Sequence, residues 1–236
     1  MGKLYYEKNA QKNLKKYFRL TSYLLLLIGV SIILYALFPI ISWQIYFQPT
    51  FASQDIMISI PRANIVDLAK NSLDTTDYNK AENWFRDFNP NINQKNQTDT
   101  PFYAISIPKI KIEEAIVSTV DTDLEKHLVN YQGTSIPGKN GNAVIFGHST
   151  LPQLFNAKDY KTIFANTYKL KNGDIIYAML NNVTYTYRIF KTTVVDPSDS
   201  SALIQDYDNS YLTIVTCTPP GTTWKRLIIK ARLEKI

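Results

Sequence analysis

Three side chains in this sequence could together carry out acyl transfer. The only cysteine, Cys217, lies in Thr213-Ile-Val-Thr-Cys-Thr-Pro-Pro-Gly221, and Arg226 follows nine positions later. One of only two histidines, His148, lies upstream in Val144-Ile-Phe-Gly-His-Ser149. A thiolate attacks carbonyl carbon, an imidazole moves protons, and a guanidinium stabilises developing negative charge. Each residue also has a plainer reading. Free cysteine often serves as a small buried hydrophobe, and most arginines are solvated. A histidine can be a hydrogen-bonded surface group. His127, in Leu124-Glu-Lys-His-Leu128, has no comparable placement and reads as ordinary.

The elements needed to position these groups are short strands. From residue 102 onward, alternating or continuous apolar runs are separated by Gly, Pro and Asn clusters such as Lys171-Asn-Gly173 and Pro219-Pro-Gly221. That pattern predicts an all-β barrel or sandwich. Period-two alternation puts Thr213, Val215 and Cys217 on one face of their strand. The next strand shows Leu227, Ile229, Ala231 and Leu233 on one face and Arg226, Ile228, Lys230 and Arg232 on the other. Cys217, Arg226 and His148 each fall at the end of a separate strand. One helical turn is expected at 124–129, and a short helix within 154–170, around 160–165.

The N-terminal part is different. Residues 1–19 carry Lys3, Lys8, Lys12, Lys15, Lys16 and Arg19 against Glu7, and no charge occurs from 20 to 54. Residues 20–41 are long and apolar enough to span a bilayer. A cleaved signal peptide is the alternative, with Thr50-Phe51-Ala52 as a weak site, although such apolar regions are usually shorter. The positive-inside rule puts 1–19 in the cytoplasm as a basic tail and the remainder outside. Trp43, Tyr46 and Phe47 would lie at the outer interface. No second apolar run follows, so one crossing is expected. Residues 42–100 read as a polar extracellular stalk, with a short helix at 65–70 and with Trp84 and Phe85 docked on the domain at 101–236.

The net charge of +6 owes much to the tail. The rest is mixed in sign, which speaks against a nucleic-acid partner and leaves anionic membrane lipid as the tail's partner. A lone cysteine excludes an intramolecular disulfide, and in an exported chain it points to a reactive thiol.

With these residues in view, 102–233 resembles the sortases, membrane-anchored cysteine transpeptidases of bacterial cell surfaces. The resemblance rests on Thr216-Cys217 followed by Arg226-Leu-Ile-Ile229, on Gly147-His148, on Gly133-Thr-Ser-Ile-Pro-Gly138 with Gly141-Asn142, and on Ile107-Pro-Lys-Ile110. It implies an eight-stranded β-barrel with the site in a groove at one edge. Cys217 would be the nucleophile, His148 the acid and base, Arg226 the anion stabiliser, and Thr216 a substrate contact. The substrate would be a surface protein bearing a Leu-Pro-any-Thr-Gly-like sorting signal. The acceptor would be an amine of a peptidoglycan precursor or a pilin.

Thr-Cys-Thr-Pro-any-Gly and the nine-residue step to arginine resemble the pilin-polymerising class. Residues 42–100 lack that class's Asp-Pro-aromatic motif, and no C-terminal membrane helix is present. The chemistry calls for no metal or other cofactor. Some relatives use calcium, but no calcium site can be mapped in this sequence. Two rivals remain at this level: a hydrolytic cysteine peptidase, and a non-catalytic, membrane-tethered barrel that binds a wall component.

Overall fold

The computed structural model describes residues 7–42, 77–85 and 100–235. The expected interfacial aromatics Trp43, Tyr46 and Phe47, the helix at 65–70, the site at 50–52 and most of the stalk lie outside these residues.

Two compact units form, Met1–Phe51 and Ala52–Ile236. The first contains one helix, α1 (Glu7–Ser42). Its segment Tyr17–Tyr35 is long and apolar enough to cross a membrane, and none of it is buried within the protein. The Thr and Ser hydroxyls there are satisfied within the helix. Thr21 Oγ1 donates to Tyr17 O at 3.1 Å, Ser22 Oγ to Phe18 O at 2.8 Å and Ser31 Oγ to Leu27 O at 2.9 Å. No side-chain donor among these three needs water, which suits an apolar surrounding.

The second unit is a barrel of eight strands. In chain order these are β1 (Phe102–Ile107), β2 (Ile112–Ser118), β3 (Leu128–Asn130), β4 (Gly141–Phe146), β5 (Ile175–Leu180), β6 (Val183–Val195), β7 (Ser210–Thr218) and β8 (Lys225–Lys235). They close in the order β1-β2-β3-β4-β7-β8-β6-β5, with β5 pairing back onto β1. Closure satisfies the backbone of every edge, which decides between barrel and sandwich.

Alternation fills the interior. Ile145, Leu212, Ile214, Leu227, Ile229 and Ala231 are buried there. The opposite face of β4, β7 and β8 is also apolar. Val144, Phe146, Val215, Cys217 and Ile228 form a second buried cluster with Ala81, Trp84, Phe85, Ala202 and Leu203. Segment 77–85 and the β6–β7 connection, residues 196–209, therefore cover this outer face.

That connection is tied down by a polar crosslink. Asn142 Nδ2 donates to Ala202 O at 2.9 Å and to Ile204 O at 3.2 Å. Gln205 Oε1 accepts from Asn142 N, and Gln205 Nε2 donates to Asn142 O. Thr213 Oγ1 donates to Asn142 Oδ1 at 2.7 Å and completes the set.

Residues 124–129 form a turn that runs into β3, and 160–165 form turns, in place of helix. Asp121 and Asp123 side chains accept from the backbone two residues on, at Asp123 N and Glu125 N, and fold 121–127 into turns. Asn156 and Asp159 do the same for Lys158 N and Lys161 N. Such local side-chain bonds compete with helix hydrogen bonding. Helical turns in this stretch are short 3-10 pieces, at Pro152–Leu154 and, within the expected 154–170, at Thr167–Lys169.

Candidate active site

Pairing registers bring the three residues into one row. β7 and β8 are antiparallel, with Cys217 opposite Arg226. β4 and β7 are parallel, with Phe146 beside Val215. The same offset of 69 residues recurs where Thr216 Oγ1 donates to Gly147 O at 2.8 Å, and it carries His148 to the level of Cys217. Two further bonds fix the His148 segment. Ser149 Oγ donates to Cys217 O at 2.7 Å, and Phe164 N donates to His148 O at 3.0 Å. Gly147 permits this close approach. A Cβ there would lie 2.5 Å from Leu128 Cδ2 and from Phe164 Cδ2.

β7 stops just past the thiol because Pro219 and Pro220 cannot continue the ladder. Thr216 faces the other way. It is fully buried, its hydroxyl is engaged by Gly147, and it does not share a face with Cys217. It braces the row from inside the barrel and is not brought together with the other three.

Arg226 is fully buried, contrary to the solvated reading of arginine. Its Nη1 donates to Thr223 O at 2.9 Å and to Lys225 O at 3.2 Å, and Nη2 donates to Trp84 O at 3.2 Å. The guanidinium carbon lies 5.3 Å from the Trp84 ring and 5.7 Å from the Tyr78 ring. Nε is buried without a hydrogen-bond partner. An unpaired buried donor is costly unless something accepts from it, so Nε is free to serve a ligand oxygen.

Trp84 is the residue whose importance the sequence least revealed. Its indole also lies 5.9 Å from the His148 ring, and it donates through Nε1 to Tyr78 O at 2.7 Å. Phe85 packs edge-on against Phe146. The segment is held by Ala81 N to Thr122 O and Leu124 N to Asn79 O. The aromatic pair Trp84-Phe85 was the available signal, since two adjacent large aromatics in a polar stretch need a buried destination.

This cover sets the electrostatics. Burial pushes the Cys217 thiol above its ordinary range, and the Arg226 charge only partly offsets it. Burial pushes the His148 imidazole below its ordinary value. His148 Nε2 is also buried without a partner. Both shifts favour a neutral thiol and a neutral imidazole near neutral pH. The unfolded thiol ionises before the folded one, so stability from this group is lost as pH rises past the ordinary thiol value. The unfolded imidazole protonates before the folded one, so stability is also lost as pH falls below the ordinary imidazole value.

Trp84→Ala uncovers the row. It is expected to speed alkylation of Cys217 by iodoacetamide near neutral pH by about tenfold, because less burial leaves more of the thiol ionised. The inflection of the alkylation rate should move to lower pH. An unchanged rate and inflection would show that Trp84 does not shield the thiol.

His127 is placed differently. Its Nε2 lies 2.9 Å from Asp121 Oδ2 and its Nδ1 3.1 Å from Leu128 O. It supports the entry to β3, away from the row.

Comparison with known proteins agrees with this geometry. Residues 105–234 match the family model described as Sortase domain. The chain is 34% identical to Sortase D of Bacillus subtilis (strain 168) over 129 residues, covering 53% of this chain and 60% of that protein. It thus spans less than two thirds of the length of the curated relatives it matches. Among solved structures, sortase C-1 from Actinomyces oris is 27% identical with a TM-score of 0.51, covering 59% of this chain and 77% of that one. A lid mutant of sortase A from Corynebacterium diphtheriae is 30% identical with a TM-score of 0.50, covering 58% and 71% respectively. With more than half its length matched by that family model, on a closed eight-stranded barrel, the chain belongs to the sortase family.

Proposed function

We propose that the chain is a cysteine transpeptidase acting on a Leu-Pro-any-Thr-Gly-like sorting signal. The observation that carries this reading is the row His148, Cys217 and Arg226 across three adjacent strands of a sortase-family barrel.

The Cys217 proton passes to His148 as the sulfur attacks the threonine carbonyl. Arg226 Nε and Nη2 hold the resulting oxyanion. Nη2 becomes available once the Trp84 carbonyl is displaced. The C–N bond then breaks and the glycine amine leaves with the proton from His148. An amine of a peptidoglycan precursor or a pilin attacks the thioester, gives its proton to His148, and releases the thiol. Two acyl transfers replace one harder step.

Thr216 acts by bracing Gly147 beneath His148. Helix α1 anchors the chain, the basic tail meets anionic lipid in the cytoplasm, and the barrel lies outside.

The test uses a labelled sorting-signal peptide with hydroxylamine as acceptor. Hydroxamate should form in place of the acid, and His148→Ala should lose nearly all product, because residues acting as one unit are not additive. Acid alone, at a rate indifferent to hydroxylamine, would indicate a hydrolase. Protease added to wall-stripped cells should reach the barrel, and protection of the barrel would rule out the topology.

A further inference from the structure

The outer face that carries Cys217 continues away from it into a cavity of about 700 Å³. β6 and β8 pair Lys191 directly with Lys230 inside that cavity. A bulge between Ile189 and Lys191 leaves Phe190 exposed as well. Phe190 and Tyr211 stand 6.1 Å apart, Ile228 lies between the lysines and the catalytic row, and the Asn142-pinned connection supplies the far wall.

Like charges directly opposed on a sheet are destabilising. Neither ammonium has an ion-pair partner among the described residues. Asp196, Asp199 and Asp206 line the same cavity; Asp196 is engaged by Lys225, while Asp199 and Asp206 are exposed and pair with neither lysine. Lys230 is half-buried. Burial, then Lys191, lowers its pKa, and Asp199 acts the other way. The fold thus holds two cations together at some cost, one of them partly desolvated, in an aromatic-lined cavity on the candidate substrate face.

Distance relates this pair to the chemistry. Lys230 is four residues along β8 from Arg226, the register partner of Cys217. At about 3.3 Å per residue that is roughly 13 Å. The acyl part of the substrate must stay bound through the thioester stage, whereas the leaving part must clear the site for an amine. Once the cover from 77–85 is displaced, the long face therefore suits the acyl part, and the open end of β7, past Thr218, suits exchange. An extended chain with its reacting threonine at Cys217 puts the residue just before the leucine of the signal level with the lysines.

We propose that Lys191 and Lys230 form a subsite for a carboxylate, selecting sorting signals with Asp or Glu immediately before the leucine. This rests on the transpeptidase reading and names a feature of its substrate.

The test compares three otherwise identical signal peptides with Glu, Gln or Lys at that position, with hydroxylamine as acceptor. Expected kcat/KM falls in the order Glu, Gln, Lys, with about tenfold between the extremes, carried mainly by KM. Added salt should compress the spread. Lys191→Glu with Lys230→Glu should reverse the order. The milder Lys230→Gln, which removes one charge and keeps a polar side chain, should flatten it. Equal rates for the three peptides, or a charge order the variants leave intact, would overturn the subsite while leaving the transpeptidase reading standing. No turnover of any peptide would remove both.

Discussion

Cys217→Ala is expected to abolish acyl transfer while the barrel keeps its fold. The thiol is the only one in the chain, and it is 6% exposed among Phe146, Val215, Ile228 and Trp84. Alanine keeps the strand, its pairing with Arg226 and the bond from Ser149 to the residue 217 carbonyl, since those are backbone features. What goes is one polarizable atom from an apolar cluster, at a cost of about 1 kcal/mol. The rate loss should be at least about 10⁴-fold, because no other group can form the covalent intermediate. Mass spectrometry of the protein with a sorting-signal peptide should show no acyl adduct, and thermal melting should stay within a few degrees of the parent. An adduct on the variant would move the nucleophile elsewhere.

Arg226→Lys keeps the formal charge and is nonetheless expected to lower kcat/KM by about 10²–10³. The guanidinium reaches Thr223 O, Lys225 O and Trp84 O at once, with Nε left over, and its flat face meets two aromatic rings. A lysine has one nitrogen at the end of a flexible stem and cannot reproduce that fork. It is also more strongly hydrated, and full burial would push its pKa down and favour the neutral amine. Stability falls too, since the bonds to Thr223 and Lys225 are lost. Acyl-enzyme formation should therefore be measured well below the melting temperature. A loss of only a few-fold under those conditions would leave Arg226 with a packing role.

The candidate row of His148, Cys217 and Arg226 was legible because each member sits where a strand meets turn residues. Gly147 before His148, Pro219 after Cys217 and the alternation from Arg226 to Leu233 all mark strand ends. Period-two reading also separated the two faces of β8. It could not show that the more polar face is partly buried, because the covering segments come from 77–85 and 196–209. The Asn142–Gln205 crosslink spans 63 residues and has no local signature. The Lys191–Lys230 pair depends on a bulge in β6, and an irregular register cannot be counted from sequence. The expected helical turn at 124–129 and short helix around 160–165 were lost to Asp and Asn side chains folding back on their own backbone, a competition that apolar spacing does not report.

The Trp84 carbonyl holds the arginine donor that the proposed mechanism gives to an incoming peptide, and it belongs to the same molecule. It precedes β1 in the same chain. A ligand that is part of the same molecule competes intramolecularly, at an effective concentration that a free peptide must match. A free peptide meets that competitor at every turnover, and its apparent affinity is reduced by the fraction of time the indole is seated. A substrate held near the barrel on a common surface acts at a raised local concentration of its own. The same chain would thus discriminate by how a signal is delivered as well as by its sequence, favouring presented proteins over fragments adrift in solution.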